Sequence, residues 1–419
     1  MKKFKVVTLG CRTNQYESQG YTDQLRQMGY AVAGEGEEAD LCIVNTCTVT
    51  EGADSSSRHQ IRSLLREHPQ AKIAVTGCMA ESAPEVLLQM DGRIQIVPNA
   101  KKEQLLEQIF PEEENLPEFN IQAFDAHTRA FVKVQDGCNS FCTYCVIPYV
   151  RGRSRSRQMG EVIKEVEGLV ANGYKEVVIT GINVGDFDGG GRLADLVRAV
   201  DAVKGLRRLR ISSIDPDEVD DDLADAVLNG KTTCPSMHIV LQSGSNVTLK
   251  RMNRKYTRQI FIETFERMVH LQPDFTATTD IIVGFPGETE ADFAETLELV
   301  ERVKFAKVHM FPYSPRKRTR AALYPNKVPQ DVIRRRKQEL LRLAEKTAFE
   351  LRQRFVGRRM EVLLENGDAA RPGFLSGHTT NFLRVWVPAG GYKPNDIIDV
   401  EIIGNEPDGL IGIYEDQHC

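Results

Sequence analysis

Short apolar runs alternate with segments of helical spacing along most of the chain. Phe4–Leu9, Leu41–Asn45 and Lys72–Thr76 are mostly apolar stretches of strand length, whereas Gln15–Gln27, Ser55–Glu67 and Ala83–Met90 set apolar residues three and four positions apart. Strand and helix in alternation predict a parallel sheet with covering helices. Pro111-Glu-Glu-Glu-Asn-Leu-Pro117 is acidic, bracketed by prolines and without periodicity, and reads as a linker.

The same theme returns at longer intervals from roughly residue 125 to 355. Strands are predicted at Ala130–Gln135, Glu176–Thr180, Leu209–Ser213, His238–Gln242, Thr278–Val283 and Lys307–Phe311, with helices such as Gly160–Ala171, Arg258–Leu271 and Glu290–Val303 between them. Six such units fit a partial barrel, in which chemistry gathers at the C-terminal strand ends. Those ends carry Cys138, Gly181-Ile-Asn183, Ser212-Ser213, Gln242-Ser-Gly-Ser245, Gly284-Phe-Pro-Gly287 and Tyr313-Ser314, small and polar groups suited to lining a ligand. Val328–Phe355 reads as a long basic helix. The last stretch changes period: Arg359–Leu364, Phe382–Val387 and Ile397–Ile403 alternate as strands do, and predict a small five-stranded barrel of a kind that often grips RNA. The expected fold class is α/β, with an N-terminal parallel α/β domain over 1–118, a central partial (βα)6 barrel over 124–355 and an all-β, OB-like barrel over 356–419.

Composition narrows the setting. Hydrophobic residues at 41% and charged residues at 27% belong to a globular protein with a full core. No apolar stretch approaches the roughly 20 residues of a membrane helix, and Met1-Lys-Lys-Phe leads straight into a strand without a signal-peptide core. A cytoplasmic protein is expected, with no membrane partner. There, nine cysteines are better read as metal ligands or catalytic groups than as disulfides. The net charge of −5 hides a basic belt: residues 314–360 hold 15 Lys or Arg against 4 Asp or Glu, and Arg151-Gly-Arg-Ser-Arg-Ser-Arg157 is a second run. Clustered cations can neutralise phosphates, although a basic run alone is often a solvated helix face.

Cys138, Cys142 and Cys145 follow a strand at C-x3-C-x2-C spacing. Three thiolates can hold three irons of a cubane and leave the fourth open. Zinc is the main rival, but a structural zinc takes four protein ligands, and no His or fourth Cys stands near. Cys11, Cys47 and Cys78 each fall just beyond a predicted strand of one parallel sheet, and so are expected to meet at one sheet edge. The alternative is three unrelated core cysteines. Cys42, Cys234 and Cys419 read as packing or incidental.

Taken together, these motifs resemble the methylthiotransferase branch of the radical S-adenosylmethionine (SAM) superfamily. The likeness covers Leu9-Gly-Cys11, Asn14-Gln-Tyr-Glu17, Asn45-Thr-Cys47, Thr76-Gly-Cys78 and the triple-Cys loop. It continues through Gly181-Ile-Asn183, Leu241-Gln-Ser-Gly-Ser245, Arg251-Met-Asn-Arg254-Lys-Tyr256, Asp280–Glu288 and Phe311-Pro-Tyr-Ser-Pro315. The last barrel is similar to the family's RNA-binding TRAM domain. Gly10-Cys11-Arg-Thr-Asn-Gln-Tyr-Glu17 is closest to enzymes acting on N6-threonylcarbamoyladenosine at tRNA position 37, whose pattern reads Gly-Cys-Lys-Val-Asn-Gln-Tyr-Glu; Arg12 and Thr13 depart from it. The isopentenyladenosine enzymes tend to carry Gln-Met after the Cys and the ribosomal-protein enzymes Pro-Lys, and these are the alternative substrates.

The resemblance implies two 4Fe–4S clusters, one on Cys138, Cys142 and Cys145 and an auxiliary one on Cys11, Cys47 and Cys78. It implies that SAM is chelated at the open iron of the first and cleaved by one electron from a donor such as flavodoxin or ferredoxin. The resulting 5′-deoxyadenosyl radical would take hydrogen from C2 of the adenine, a bond no acid–base group could break. The auxiliary cluster would offer sulfur, methylated by another SAM. Tyr144, Asn183, Ser213, Gln242 and Arg254 are the expected SAM contacts, and the anticodon stem-loop of tRNA the expected partner, with its base turned out of the stack.

Overall fold

The computed structural model describes residues 1–124, 128–369 and 371–414. The expected incidental Cys419 and the end of the 356–419 segment lie outside them.

The N-terminal sheet is formed by β1 (Lys3–Thr8), β2 (Ala31–Val32), β3 (Leu41–Thr46), β4 (Lys72–Gly77) and β5 (Ile94–Ile96), all parallel in the order β2-β1-β3-β4-β5. Every residue of β3 is buried, as the apolar run of a central parallel strand requires. Helices α1 (Arg12–Gln27), α2 (Glu51–Glu67), α3 (Cys78–Ser82), α4 (Pro84–Leu88) and α5 (Leu105–Ile109) surround it. Helix α2 starts where Thr50 accepts from the Ala53 amide at 3.1 Å, a cap that satisfies a free helical N–H. Tyr21, Leu25 and Leu105 fill one face of the sheet, and Ile61, Leu64 and Leu87 the other.

The central region opens with β6 (Arg129–Lys133), the short antiparallel pair β7 (Gln135–Asp136) and β8 (Arg155–Ser156), and α6 (Ile147–Val150) between them. Then follow α7 (Met159–Ala171), β9 (Glu176–Thr180), α8 (Leu193–Asp201), β10 (Arg208–Ile214), α9 (Asp221–Leu228), β11 (Thr233–Ile239), α10 (Asn246–Arg251), α11 (Arg258–Leu271), β12 (Thr276–Val283), α12 (Glu290–Val303) and β13 (Lys307–Pro312). Six of these strands form one parallel sheet, β13-β12-β11-β10-β9-β6, with no pairing between β6 and β13, so the barrel is open on one side. Helix α1 packs on β6, and its Tyr16 enters the central core beside Val132 and Ile179.

Helix α13 (Gln330–Gln353) runs from the central core, where Leu340 and Ala344 are buried, to the last barrel, whose core includes Leu351. That barrel closes as β14 (Arg359–Gly367), β15 (Phe374–Thr379), β16 (Arg384–Pro388), β18 (Gly409–Ile413) and β17 (Ile397–Glu406). It docks beneath the central barrel through β10: Arg208 donates to the Glu361 carboxylate at 3.0 Å and to the His378 carbonyl at 2.8 Å, and Arg210 to the carbonyls of Thr379 and Thr380 at 2.8 Å each. Among the described residues, no helix is long and apolar enough to cross a membrane.

One expectation shifts: the strand predicted at His238–Gln242 spans Thr233–Ile239, whereas Ser212 and Ser213 lie near the C-terminal end of β10 as expected.

Candidate active site

Parallel register brings the ends of β1, β3 and β4 side by side, with Thr8 opposite Asn45 and Thr46 opposite Gly77. Cys11, Cys47 and Cys78 therefore leave the sheet from three adjacent strands. Cys11 is the N-cap of α1. Gly10 is so close to Cys47 that a Cβ on it would stand 2.9 Å from the Cys47 sulfur. Burial pushes the Cys78 thiol up to about 11, and Cys11 and Cys47 add to the rise; burial raises Cys47 likewise, with Cys11 again among the causes. The three thiols are thus one electrostatic group. Asn14 clasps the edge, donating to the Leu9 carbonyl at 2.6 Å and the Thr46 carbonyl at 3.1 Å.

Gly77 makes the turn into α3 at φ +90°, and an added Cβ would lie 2.4 Å from the Thr46 carbonyl oxygen. Both the left-handed backbone and the contact exclude a side chain. Gly77→Ala is expected to cost about 2–4 kcal/mol of stability, read as an earlier melting transition; a variant that melts with the parent would show that the turn relaxes.

The second trio sits in the loop after β7. The Ser140 amide points to the Cys138 sulfur at 3.4 Å, and the Cys145 amide bonds the Cys142 carbonyl at 3.0 Å. The loop is held from outside: the Thr143 amide bonds the Met252 carbonyl at 2.9 Å, and Asn253 donates to the Ser140 and Phe141 carbonyls at 3.3 and 3.2 Å. Burial pushes Cys145 up to about 12 and raises Cys138. The trios are neighbours. Cys78 packs with Val146, Ile147 and Val150, and Cys138 and Cys145 flank the same cluster. Arg151, buried, donates to Glu17 at 3.1 Å, Asp136 at 2.9 Å and Asn14, and stands in the field of Cys78 and Cys11.

A cavity of about 280 Å³ opens beside the second trio, walled by Tyr144, Cys145, Gln242, Asp280, Tyr313 and, from the N-terminal region, Thr50. Two of the expected contacts, Tyr144 and Gln242, meet there. Tyr144 packs edge-on against Phe285, and Gln242 holds a left-handed backbone at φ +62°. Arg254 is placed at the thiols instead, donating to the Cys142 sulfur at 2.9 Å and pairing with Asp215. Asn183 is held by Glu218 at 2.9 Å, whose carboxyl burial and Asp215 push up to about 7. Ser213 is half-buried in β10, outside the lining of this cavity.

The residues fit the groups the sequence implies. Among the described residues, no three His, Cys, Asp or Glu side chains could close on a single metal ion. Each trio offers three soft sulfur donors, the chemistry of an iron–sulfur core with an open corner. In the cavity, Gln242 Oε1 and Tyr313 OH are buried without partners, as groups that await a polar ligand.

Sequence reasoning missed Arg12, Gln135, Arg151 and Asp280. Gln135 bonds the Gly137 carbonyl at 2.8 Å and the Asn183 amide at 2.9 Å, so it joins the cysteine loop to the next strand end. The basic runs also divide. Arg336 is buried on Glu288, Arg316 pairs with Asp54 and Arg157 with Glu165, whereas Lys317, Arg320, Lys327, Arg334 and Lys337 are exposed with no carboxylate partner among the described residues. Near the cysteine loop, Arg153 lies 4.3 Å over Phe141 and Arg318 5.5 Å over Tyr149.

Residues 3–98 match the family described as uncharacterized protein family UPF0004, and residues 132–300 the radical SAM superfamily. The chain is 48% identical to the threonylcarbamoyladenosine tRNA methylthiotransferase MtaB of Chlamydia pneumoniae, over 98% of this chain and 97% of that one. It is 38% identical to the MtaB of Thermotoga maritima, over 92% and 91%. With the tRNA-2-methylthio-N(6)-dimethylallyladenosine synthase of Desulfitobacterium hafniense it shares 35%, over 95% and 94%. In fold it is similar to the radical SAM methyltransferase TsrM from Kitasatospora setae, at a TM-score of 0.54 and 14% identity, over 88% of this chain and 79% of that one.

Proposed function

The chain belongs to the radical SAM methylthiotransferases, in the branch of the threonylcarbamoyladenosine enzymes, and from that premise we propose that it converts N6-threonylcarbamoyladenosine at tRNA position 37 to its 2-methylthio form. The observation that carries the reading is the meeting of two cysteine trios across α6, beside one cavity. Cys138, Cys142 and Cys145 would hold the cluster that binds SAM, and Cys11, Cys47 and Cys78 the auxiliary cluster. When bound, these groups supply one-electron cleavage of an unreactive C–H bond and the sulfur that replaces the hydrogen.

The chain's own residues hold that chemistry in place. Arg254, fixed by Asp215, donates to the Cys142 sulfur and holds positive charge beside it. Tyr144, backed by Phe285, walls one side of the cavity, and Gln242 and Tyr313 offer polar atoms to SAM or the base. Asn14 and Arg151 keep the auxiliary thiols in register with the second trio. The exposed cations of the 317–337 segment and the last barrel would bind the tRNA backbone, with the anticodon stem-loop reaching the cavity past Arg153 and Arg318. A flavodoxin or ferredoxin is the proposed electron donor, in the cytoplasm.

Protein purified without oxygen is expected to carry about eight irons and eight sulfides, four for each cluster. Mass spectrometry of tRNA nucleosides should find 2-methylthio-N6-threonylcarbamoyladenosine in cells with the gene and only its unthiolated parent without it. A loss of 2-methylthio-isopentenyladenosine instead would move the substrate to the sister branch.

A further inference from the structure

Deeper in the barrel lies a second cavity, of about 30 Å³, ringed by the cationic side chains Arg12, Arg129 and Arg210, with His238 in its wall and Phe382 of the last barrel beneath. Arg129 and Arg210 are neutralised, by Glu365 at 3.0 Å and Glu176 at 2.7 Å. Arg12 is different. Its guanidinium stands 5.7 Å over the Phe131 ring, and among the described residues no carboxylate or hydrogen-bond acceptor meets it. Glu176 and Asp280 act on it only through space, and neither is paired with it. A guanidinium withdrawn from water without a counter-ion is unfavourable, and such a group is expected where an anion arrives from outside.

One side-chain pair separates the large cavity from this one. Asp280 stands in the wall of the first and His238 in that of the second, with His238 Nε2 3.4 Å from the Asp280 carboxylate. His238 Nε2 makes no hydrogen bond to Asp280, and of the three arginines around the second cavity Arg12 alone has no carboxylate partner among the described residues. A base lying in the large cavity with C2 toward the cysteine loop points its N6 substituent away from that loop. In threonylcarbamoyladenosine that substituent ends in a carboxylate.

We propose that Arg12 binds the carboxylate of the threonylcarbamoyl group and so selects the charged base over bases with a neutral N6 substituent. The assignment rests on the tRNA substrate proposed above. Arginine and carboxylate pair through two parallel N–H···O bonds, and a site built for a charged group rejects analogues that lack it. SAM also carries a carboxylate, and the test separates the two.

The holoenzyme with SAM is titrated with anticodon stem-loops bearing threonylcarbamoyladenosine, its methyl ester or plain adenosine. The parent is expected to bind the free acid at least about tenfold more tightly than the ester or adenosine. In Arg12→Gln that ratio should fall to near one, and in Arg12→Lys most of it should remain. A ratio of one in the parent, or an undiminished ratio in Arg12→Gln, overturns the proposal. So does an intact ratio with a raised SAM requirement, because the guanidinium would then serve SAM. The ester arm needs no variant, so a poorly folding Arg12→Gln protein does not stop the test. Parent enzyme that fails to thiolate threonylcarbamoyladenosine tRNA would remove the substrate reading itself; parent that thiolates it while Arg12→Gln keeps the ratio removes this inference alone.

Discussion

Cys47→Ala is expected to bring methylthiolated product below about one hundredth of the parent rate while SAM is still cleaved, and Cys142→Ala to abolish both. The separation follows from where the two thiols sit. Cys47 belongs to the N-terminal sheet, buried beside Gly10, its amide 3.3 Å from the Ser57 hydroxyl and its carbonyl accepting from that hydroxyl at 3.0 Å. Those backbone bonds survive removal of the sulfur, so the sheet edge keeps its shape and only one corner of the auxiliary trio is lost. Cys142 belongs to the other loop, which hangs on Met252 and Asn253 and would stay in place without it; Arg254 would keep Asp215. Iron should fall from about eight to about four per chain in either variant. Release of 5′-deoxyadenosine without tRNA, measured beside thiolated nucleoside, gives the two readouts. Product from Cys47→Ala protein at more than a tenth of the parent rate would end the sulfur-donor role of the N-terminal trio.

Legibility in the sequence followed the range of the forces involved. Arg258–Leu271 and Glu290–Val303 could be bounded to the residue because their starts are local: Thr257 accepts from the Ile260 amide, and Thr289 with Asp292 forms a reciprocal cap. The strand Thr233–Ile239 was displaced in the reading because it opens on Thr-Cys-Pro-Ser, which lacks an apolar signal, and because Gln242 turns left-handed beyond its end. The barrel strands Phe374–Thr379 and Gly409–Ile413 were missed for a related reason. Their glycines and polar residues carry little β signal alone, and closure of the barrel decides their pairing.

That Cys11, Cys47 and Cys78 leave adjacent strand ends was readable because a position just past a strand depends only on knowing the strand. Charged residues were not. Arg151 and Arg153 stand in one basic run, yet the first is a buried partner of Glu17 and Asp136 while the second lies over Phe141 near the surface. Which cations remain free for phosphate depends on which carboxylates the fold brings to the others. Arg12 shows the same limit from the opposite side, since its lack of a partner is visible only once every neighbour is in place.

Glu17→Gln is expected to destabilise the chain by about 3–5 kcal/mol and to lower its activity further than the loss of folded protein explains. Glu17 and Asp136 are the two acids within a buried cluster whose cations are Lys102, Lys133 and Arg151. Lys102 lies 2.7 Å from Glu17, Arg151 3.1 Å from Glu17 and 2.9 Å from Asp136, and Lys133 3.5 Å from Glu17 and 2.7 Å from Glu103. Burial alone would raise the Glu17 carboxyl, but Arg151, Lys102 and Lys133 together hold it below the ordinary glutamate range. Without it, buried positive charge is left short of a counter-charge. Because the folded value is depressed, this contribution is complete above the ordinary glutamate range and is lost as pH falls below it. The gap in melting temperature between parent and variant should therefore narrow from pH 7 to about pH 3. Glu17 and Lys102 belong to the N-terminal region, whereas Lys133, Asp136 and Arg151 belong to the barrel that carries the second trio, so the same charges set the distance between the two cysteine sites. Adding Lys102→Met should recover part of the stability, as removal of both members of a buried pair does. Strict additivity of the two losses would show that the residues do not act as one cluster.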